Sequence, residues 1–206
     1  MKGYAITVDQ DRLEDLRRGV RQSLPEIEQI RDEELQLRVV DAQALALAYT
    51  EYNRIEEIPP EGIPGGPAQK KGTQADHYRG VAIMALGLAD GLEKIVGEIG
   101  FDRDILLAGG LCHDIGKAWE FSPRNRERWN SSRARYGGPS MRHPVFGIHV
   151  AIAAGLPEEI AHIVGAHSYQ REGAWVAASL ENTIIQYADV AYWEILGAGG
   201  LMTEKK

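Results

Sequence analysis

Leu111-Cys112-His113-Asp114-Ile115-Gly116-Lys117 sets a histidine beside an aspartate at the end of an apolar segment. One imidazole nitrogen next to one carboxylate makes a pair of donors suited to a transition metal. The rest of the chain supplies what such a pair would need. His77 lies upstream, His143 and His167 lie downstream, and Asp189 stands in an apolar stretch near the C-terminus. Four histidines and two aspartates in the order H, HD, H, H, D are enough to hold two metal ions.

Working outward from this run, helical spacing recurs and strand signals are scarce. A helix is predicted from Arg103 to Asp114, with Leu106 and Gly109 on the face of His113, and Leu107 and Gly110 on that of Asp114. The small Gly109-Gly110 pair would let another helix approach closely. A preceding helix runs from Asp76 to about Glu98, where His77, Val81, Met84 and Leu88 fall at i, i+4, i+7 and i+11, one face of a helix. After the run, His143-Pro144 reads as the entry to a helix that reaches about Ala154, since proline favours the first turn. Pro157 opens another, on which Ile160, Ile163, Val164 and His167 share an apolar face. A final helix from Ala178 to about Leu196 carries Ile184, Ile185, Val190, Tyr192 and Trp193, with Asp189 embedded among them.

Nearer the N-terminus, Ser23-Leu24-Pro25-Glu26 looks like a capped helix start, with Glu26 closing a capping box and a long helix continuing to about Tyr52. Its apolar positions include Ile27, Ile30, Val39 and Leu45. Residues 56–75 hold four prolines and four glycines and read as a loop, a plain connection or a lid over a site. The chain is therefore an all-α domain, with residues 1–55 as an N-terminal helical extension, 56–75 as a Pro/Gly-rich loop and 76–206 as the metal-binding part.

Composition narrows the function. At 206 residues, 44% hydrophobic and 26% charged, the chain is an ordinary globular protein with a buried core. It has no apolar run long enough to span a membrane, and Met1–Asp9 lacks a signal-peptide core. Cys112 is the only cysteine, so no internal disulfide forms and a reducing cytoplasm is the simplest setting. Its position beside His113 suits a small core residue better than a thiolate ligand. A net charge of −7 argues against general nucleic-acid binding. Yet residues 121–142 carry Arg124, Arg126, Arg128, Arg133, Arg135 and Arg142 against Glu127 alone. This basic island is either a solvated loop or a place where a small anion is captured.

A lone histidine on an apolar face usually has a backbone partner and no metal, and a buried aspartate is costly unless a cation or donors compensate it. Six such residues at helix starts, helix ends and apolar faces, on five separate elements, share one explanation in a metal cluster. His149 and His162 serve as controls. His149 lies six residues after His143, about 240° around a helix, and His162 lies five before His167, about 140° away. Both point elsewhere.

The order His77, His113-Asp114, Asp189 resembles the motif of the HD superfamily, a helical fold of metal-dependent phosphohydrolases. The resemblance spans roughly residues 74–197, and the additional His143 and His167 are similar to its dinuclear branch, which includes HD-GYP phosphodiesterases. No Gly-Tyr-Pro triplet follows the later histidine, and Ala166-His167-Ser168 replaces the usual double histidine, so cleavage of cyclic dinucleotides is not supported. The resemblance implies an HD-domain helical bundle in which Asp114 bridges two ions, His77, His113 and Asp189 hold one, and His143 and His167 the other. Iron, manganese, cobalt or zinc would suit these ligands, and a water between two such ions would become a nucleophile near neutral pH. Lys117 would supply a further positive charge, or on a plainer reading meet a helix dipole. Arg124, Arg126, Arg128 and Arg142 are candidate clamps for a small anionic substrate.

The leading expectation is thus a hydrolase of a small phosphorylated metabolite or nucleotide, with a second copy of the chain as the one protein partner allowed for. Two alternatives stand beside it. Some HD-fold proteins, such as inositol oxygenase and a phosphonate-cleaving oxygenase, have a similar ligand order but use two irons to activate O₂ on an anionic polyol, phosphonate or organic acid. A metal-stabilised binding module, meeting partners through the acidic N-terminal helix, is the other.

Overall fold

The computed structural model describes residues 9–168 and 178–204. Among them it has ten α-helices and no strand, only the isolated bridges Glu61–Ala68 and Gln69–Met202. The chain is all-α, as its spacing predicts.

The first departure from the sequence reading lies at the N-terminal end. The long helix predicted from Ser23 to about Tyr52 is a 3-10 helix over Pro25–Gln29 followed by α2 (Glu33–Ala48), and a helix that spacing did not reveal, α1 (Gln10–Ser23), precedes them. Asp9 caps α1 through the Asp11 N–H, and Ser23 is its last residue instead of a cap. Pro25 has no N–H to give to a helix interior. Asp32 restarts the helix by accepting from the N–H groups of Glu34 and Leu35. Glu26 closes no capping box; it is buried and accepts from Arg79 Nε at 3.0 and 2.9 Å. The inner face of α2 is apolar: Leu35, Val39, Val40, Ala42, Ala44, Ala46 and Leu47 are all buried.

The helices α3 (Gln74–Val96), α4 (Arg103–Cys112), α8 (His143–Ala153), α9 (Glu158–Ala166) and α10 (Leu180–Ala198) lie within a few residues of their predicted bounds. Between α4 and α8 come three short helices that spacing did not reveal, α5 (Lys117–Phe121), α6 (Pro123–Ser131) and α7 (Arg133–Tyr136). The central element is α4, which packs against α2, α3, α9 and α10 and is buried continuously from Leu106 to Cys112. Its glycine pair makes this approach possible. A β-carbon on Gly109 would sit 2.6 Å from Ile163 Cδ1, and one on Gly110 would sit 2.7 Å from Ala82 Cα. The buried stripe of α3 is Tyr78, Val81, Ala82, Ala85 and Ala89 beside His77, whereas Leu88 is 46% exposed. Small alanines, and not the larger Leu88, let α3 lie close to α4.

Candidate metal centre

Five elements converge on one buried point. His77 sits in the first turns of α3, which starts with a full capping box between Thr73 and Asp76. His113 ends α4, and Asp114 stands in the turn that follows. His143 is the first residue of α8, His167 ends α9, and Asp189 faces inward from α10. The turn is pinned by Tyr78, whose hydroxyl donates to the Asp114 carbonyl at 3.0 Å, and by Gln43, which donates to the Leu111 carbonyl at 2.8 Å. Gly116 is needed because a β-carbon there would overlap the His143 carbonyl oxygen. Its absence lets α8 begin beside the His-Asp turn.

Seven donor atoms from six residues meet at this point. Asp114 Oδ2 lies 3.0 Å from His77 Nε2 and 3.3 Å from His113 Nε2. Asp114 Oδ1 lies 3.2 Å from His143 Nε2 and 3.4 Å from His167 Nε2. His77 Nε2 is also 3.4 Å from Asp189 Oδ1 and 3.2 Å from His113 Nε2. Two triads with metal-ligand spacing result, His77–His113–Asp189 and Asp114–His143–His167. All but Asp189 are almost fully buried, and its side chain keeps 17% exposure.

The opposite ring nitrogens show what faces inward. His113 Nδ1 lies 2.6 Å from the Gly110 carbonyl, His167 Nδ1 lies 2.9 Å from the Val164 carbonyl, and His143 Nδ1 lies 2.5 Å from Glu120 Oε2. Each of these acceptors claims the Nδ1 proton, which leaves three Nε2 lone pairs aimed into the cluster. Asp114 Oδ1 and Asp189 Oδ1 are buried there without a hydrogen bond. Lone pairs turned on unpartnered carboxylate oxygens repel unless cations lie between them, so the residues fit a pair of metal ions.

Among the described residues, the local field has one strong cation of its own. Lys117, 2% exposed, places Nζ 2.7 Å from Asp114 Oδ2 and donates to the Glu61 carbonyl at 3.2 Å. The same ammonium lies 5.4 Å from the centre of the Trp193 ring. Burial alone would raise the Asp114 carboxyl, but the Lys117 ammonium beside it holds it well below its ordinary range. Burial lowers His77 to about 4 and also lowers His143, keeping both neutral as ligands must be.

One residue of the site escaped the sequence reading. Glu120, 1% exposed, accepts from the His143 backbone N–H at 3.0 Å and from its ring, while Oε1 pairs with Arg142 Nε at 2.5 Å. Burial would raise this carboxyl, yet His143 and Arg142 keep it low. A charged residue inside the otherwise apolar Ala118-Trp119-Glu120-Phe121 was the available clue, of the same kind that marked Asp189.

The four candidate clamps separate. Arg126 and Arg142 line a cavity of about 270 Å³ that Glu120 borders. Arg124 is engaged with the end of α2, its backbone N–H on Glu51 Oε1 at 2.9 Å and its guanidinium on the Tyr49 carbonyl at 3.2 Å. Arg128 lies over the Trp119 ring. The two control histidines stay outside the cluster: His149 is exposed beside Tyr49 and Phe146, and His162 Nε2 accepts from the Ser179 N–H.

A family model for the HD domain matches residues 75–192, a span that contains all six converging side chains. No curated protein and no solved structure matches the chain.

Proposed function

The chain belongs to the HD domain family, and on that premise we propose that it is a metal-dependent hydrolase of a small phosphorylated metabolite or nucleotide. The observation that carries the reading is the inward aim of three Nε2 lone pairs at one carboxylate whose Oδ1 has no hydrogen-bond donor. His77, His113 and Asp189 would hold one divalent ion, His143 and His167 a second, and Asp114 would offer one oxygen to each. Iron, manganese, cobalt or zinc match such a donor set. When bound, two ions supply Lewis acidity to a phosphoryl oxygen and to an attacking water.

The chain's own groups prepare that chemistry. Lys117 keeps Asp114 ionised and adds a fixed positive charge beside the cluster, where it opposes the charge that grows on phosphoryl oxygens. Glu120 holds the His143 ring in the tautomer that presents Nε2 inward. Trp193 and Tyr192 pack on the His77 ring at 4.7 and 4.9 Å, fixing its plane and excluding water from that side. Arg126 and Arg142 line a cavity on the Glu120 side of the cluster. A cytoplasmic setting rests on the single cysteine, and no described helix is long and apolar enough to cross a membrane.

The test is to purify the protein without chelators, measure metal identity and stoichiometry, and assay phosphate release from a broad panel of phosphomonoesters and nucleotides. Metal-dependent release, lost on chelation and restored by one of the four metals, is expected. A fully metallated protein that releases no phosphate, or that consumes O₂ with reduced iron and an anionic polyol or phosphonate, would overturn the hydrolase reading.

A further inference from the structure

We propose that the cavity walled by Arg126, Arg133 and Arg142 seats a second anionic group of the substrate, which is therefore a small metabolite with two anionic ends. The inference rests on the hydrolase reading of the neighbouring cluster and names the class of molecule it acts on.

Among the described residues, three guanidiniums border this cavity and Glu120 is the one carboxylate. That carboxylate is already committed, Oε1 to Arg142 and Oε2 to His143. Arg126 and Arg133 form no ion pair among the described residues, and Arg133 reaches only Asn130 Oδ1, at 3.5 Å. Two uncompensated positive charges thus flank one concave site, within a segment that carries +5 in a chain of net charge −7. Guanidiniums grouped in this way match phosphate or carboxylate oxygens. The indole N–H of Trp129, a residue of the same wall, is buried and has no acceptor.

Size and surroundings limit the occupant. About 270 Å³ lies at the small end of ligand cavities, roughly 300–1,000 Å³. It admits an anionic group on a short carbon skeleton and is too small for a nucleic-acid strand. Ile63 and Pro64, from the Pro/Gly-rich segment, and Pro139 give the cavity an apolar side against which such a skeleton can lie. Glu120 links the cavity to the cluster: it lines the cavity and contacts the His143 ring, whose Nε2 lies 3.2 Å from Asp114 Oδ1. One small molecule could therefore present a phosphoester to the cluster while its other end meets the arginines.

The experiment compares binding by calorimetry of matched probes at two chain lengths, following phosphate release in the same samples. Glycerol phosphate and fructose monophosphate carry one anionic group, phosphoglycerate and phosphogluconate add a carboxylate, and bisphosphoglycerate and fructose bisphosphate add a second phosphate. We expect a doubly anionic probe to bind at least about tenfold more tightly than its singly anionic partner, as guanidinium–anion pairs do. Arg126→Gln with Arg133→Gln should remove that preference and leave binding of the monophosphates unchanged; both side chains are exposed, so the fold is retained. The carboxylate and phosphate arms decide which second anion is preferred. No preference at either chain length, or a preference that survives in the double variant, overturns the proposal. A preference abolished as expected but with no probe hydrolysed would leave the anion seat standing and remove the hydrolase reading instead.

Discussion

The His/Asp cluster and the arginine-rich segment are both made of charged or titratable side chains, yet they are built in opposite ways. In the cluster every donor but one is almost fully buried, and four of the six residues are held by a second partner: Gly110, Val164 and Glu120 for three of the rings, Lys117 for Asp114. In residues 121–142 the guanidiniums are mostly exposed on short helices; Arg142 pairs with Glu120, Arg124 meets a helix end, Arg128 an aromatic ring, and Arg126 and Arg133 border a cavity. Placing a polar group in a core is expensive and must be compensated, whereas placing an arginine on a surface costs almost nothing. The cluster is therefore over-determined by its surroundings, and the segment is free to serve what binds it.

The largest expected effect falls on the cluster. Asp114→Asn keeps the volume but replaces one oxygen by an NH₂ donor, which would point at imidazole lone pairs and cannot bridge two cations. Loss of both metals and a fall in kcat on the order of a thousandfold or more, ~4 kcal/mol of transition-state stabilisation, should follow. Metal analysis together with circular dichroism checks it; a folded variant that keeps two ions and its turnover would break the contrast between the regions. Next comes Glu120→Gln, at the border of the two. The amide can still accept from the His143 ring but loses its charge toward both His143 and Arg142. Metal affinity measured by chelator competition should drop about 10–100-fold, the range for groups that orient a ligand. An unchanged affinity would show that His143 is positioned by α8 alone.

How much of this could be read beforehand follows the same division. His77, His143, His167 and Asp189 were visible because each interrupts an apolar pattern or sits at a helix boundary, and α3, α4, α8, α9 and α10 have periodic faces long enough to detect. Glu120 went unnoticed because α5 is only five residues long, too short to show a face. The end of α1 reads as a helix start because Ser23-Leu24-Pro25-Glu26 has the local grammar of one, while the contact that decides its fate, Glu26 with Arg79, spans 53 residues. The arginines could not be ranked for the same reason. Arg124 contacts Glu51 and Tyr49 across more than 70 positions, and nothing in its own neighbourhood announces this.

The smallest effect tests the surface region by itself. Glu51 accepts from the Ser122 hydroxyl at 2.8 Å and from the Arg124 N–H at 2.9 Å, tying the start of α6 to the end of α2. Burial would raise its carboxyl, but these donors and the Arg124 charge lower it from the ordinary 4.5. A carboxyl lowered in the folded state stabilises at pH values above its unfolded pKa, and that contribution disappears as the pH falls through the folded value. Glu51→Gln should therefore cost under about 1 kcal/mol at neutral pH, since the charge is exposed and screened. The gap between the two proteins should close on acidification below 4.5. Denaturant melts of both proteins at a series of pH values measure it. A gap that widened in acid, or one as large as the loss from an unpaired buried charge, would mean that residues 121–142 are anchored as firmly as the cluster they adjoin.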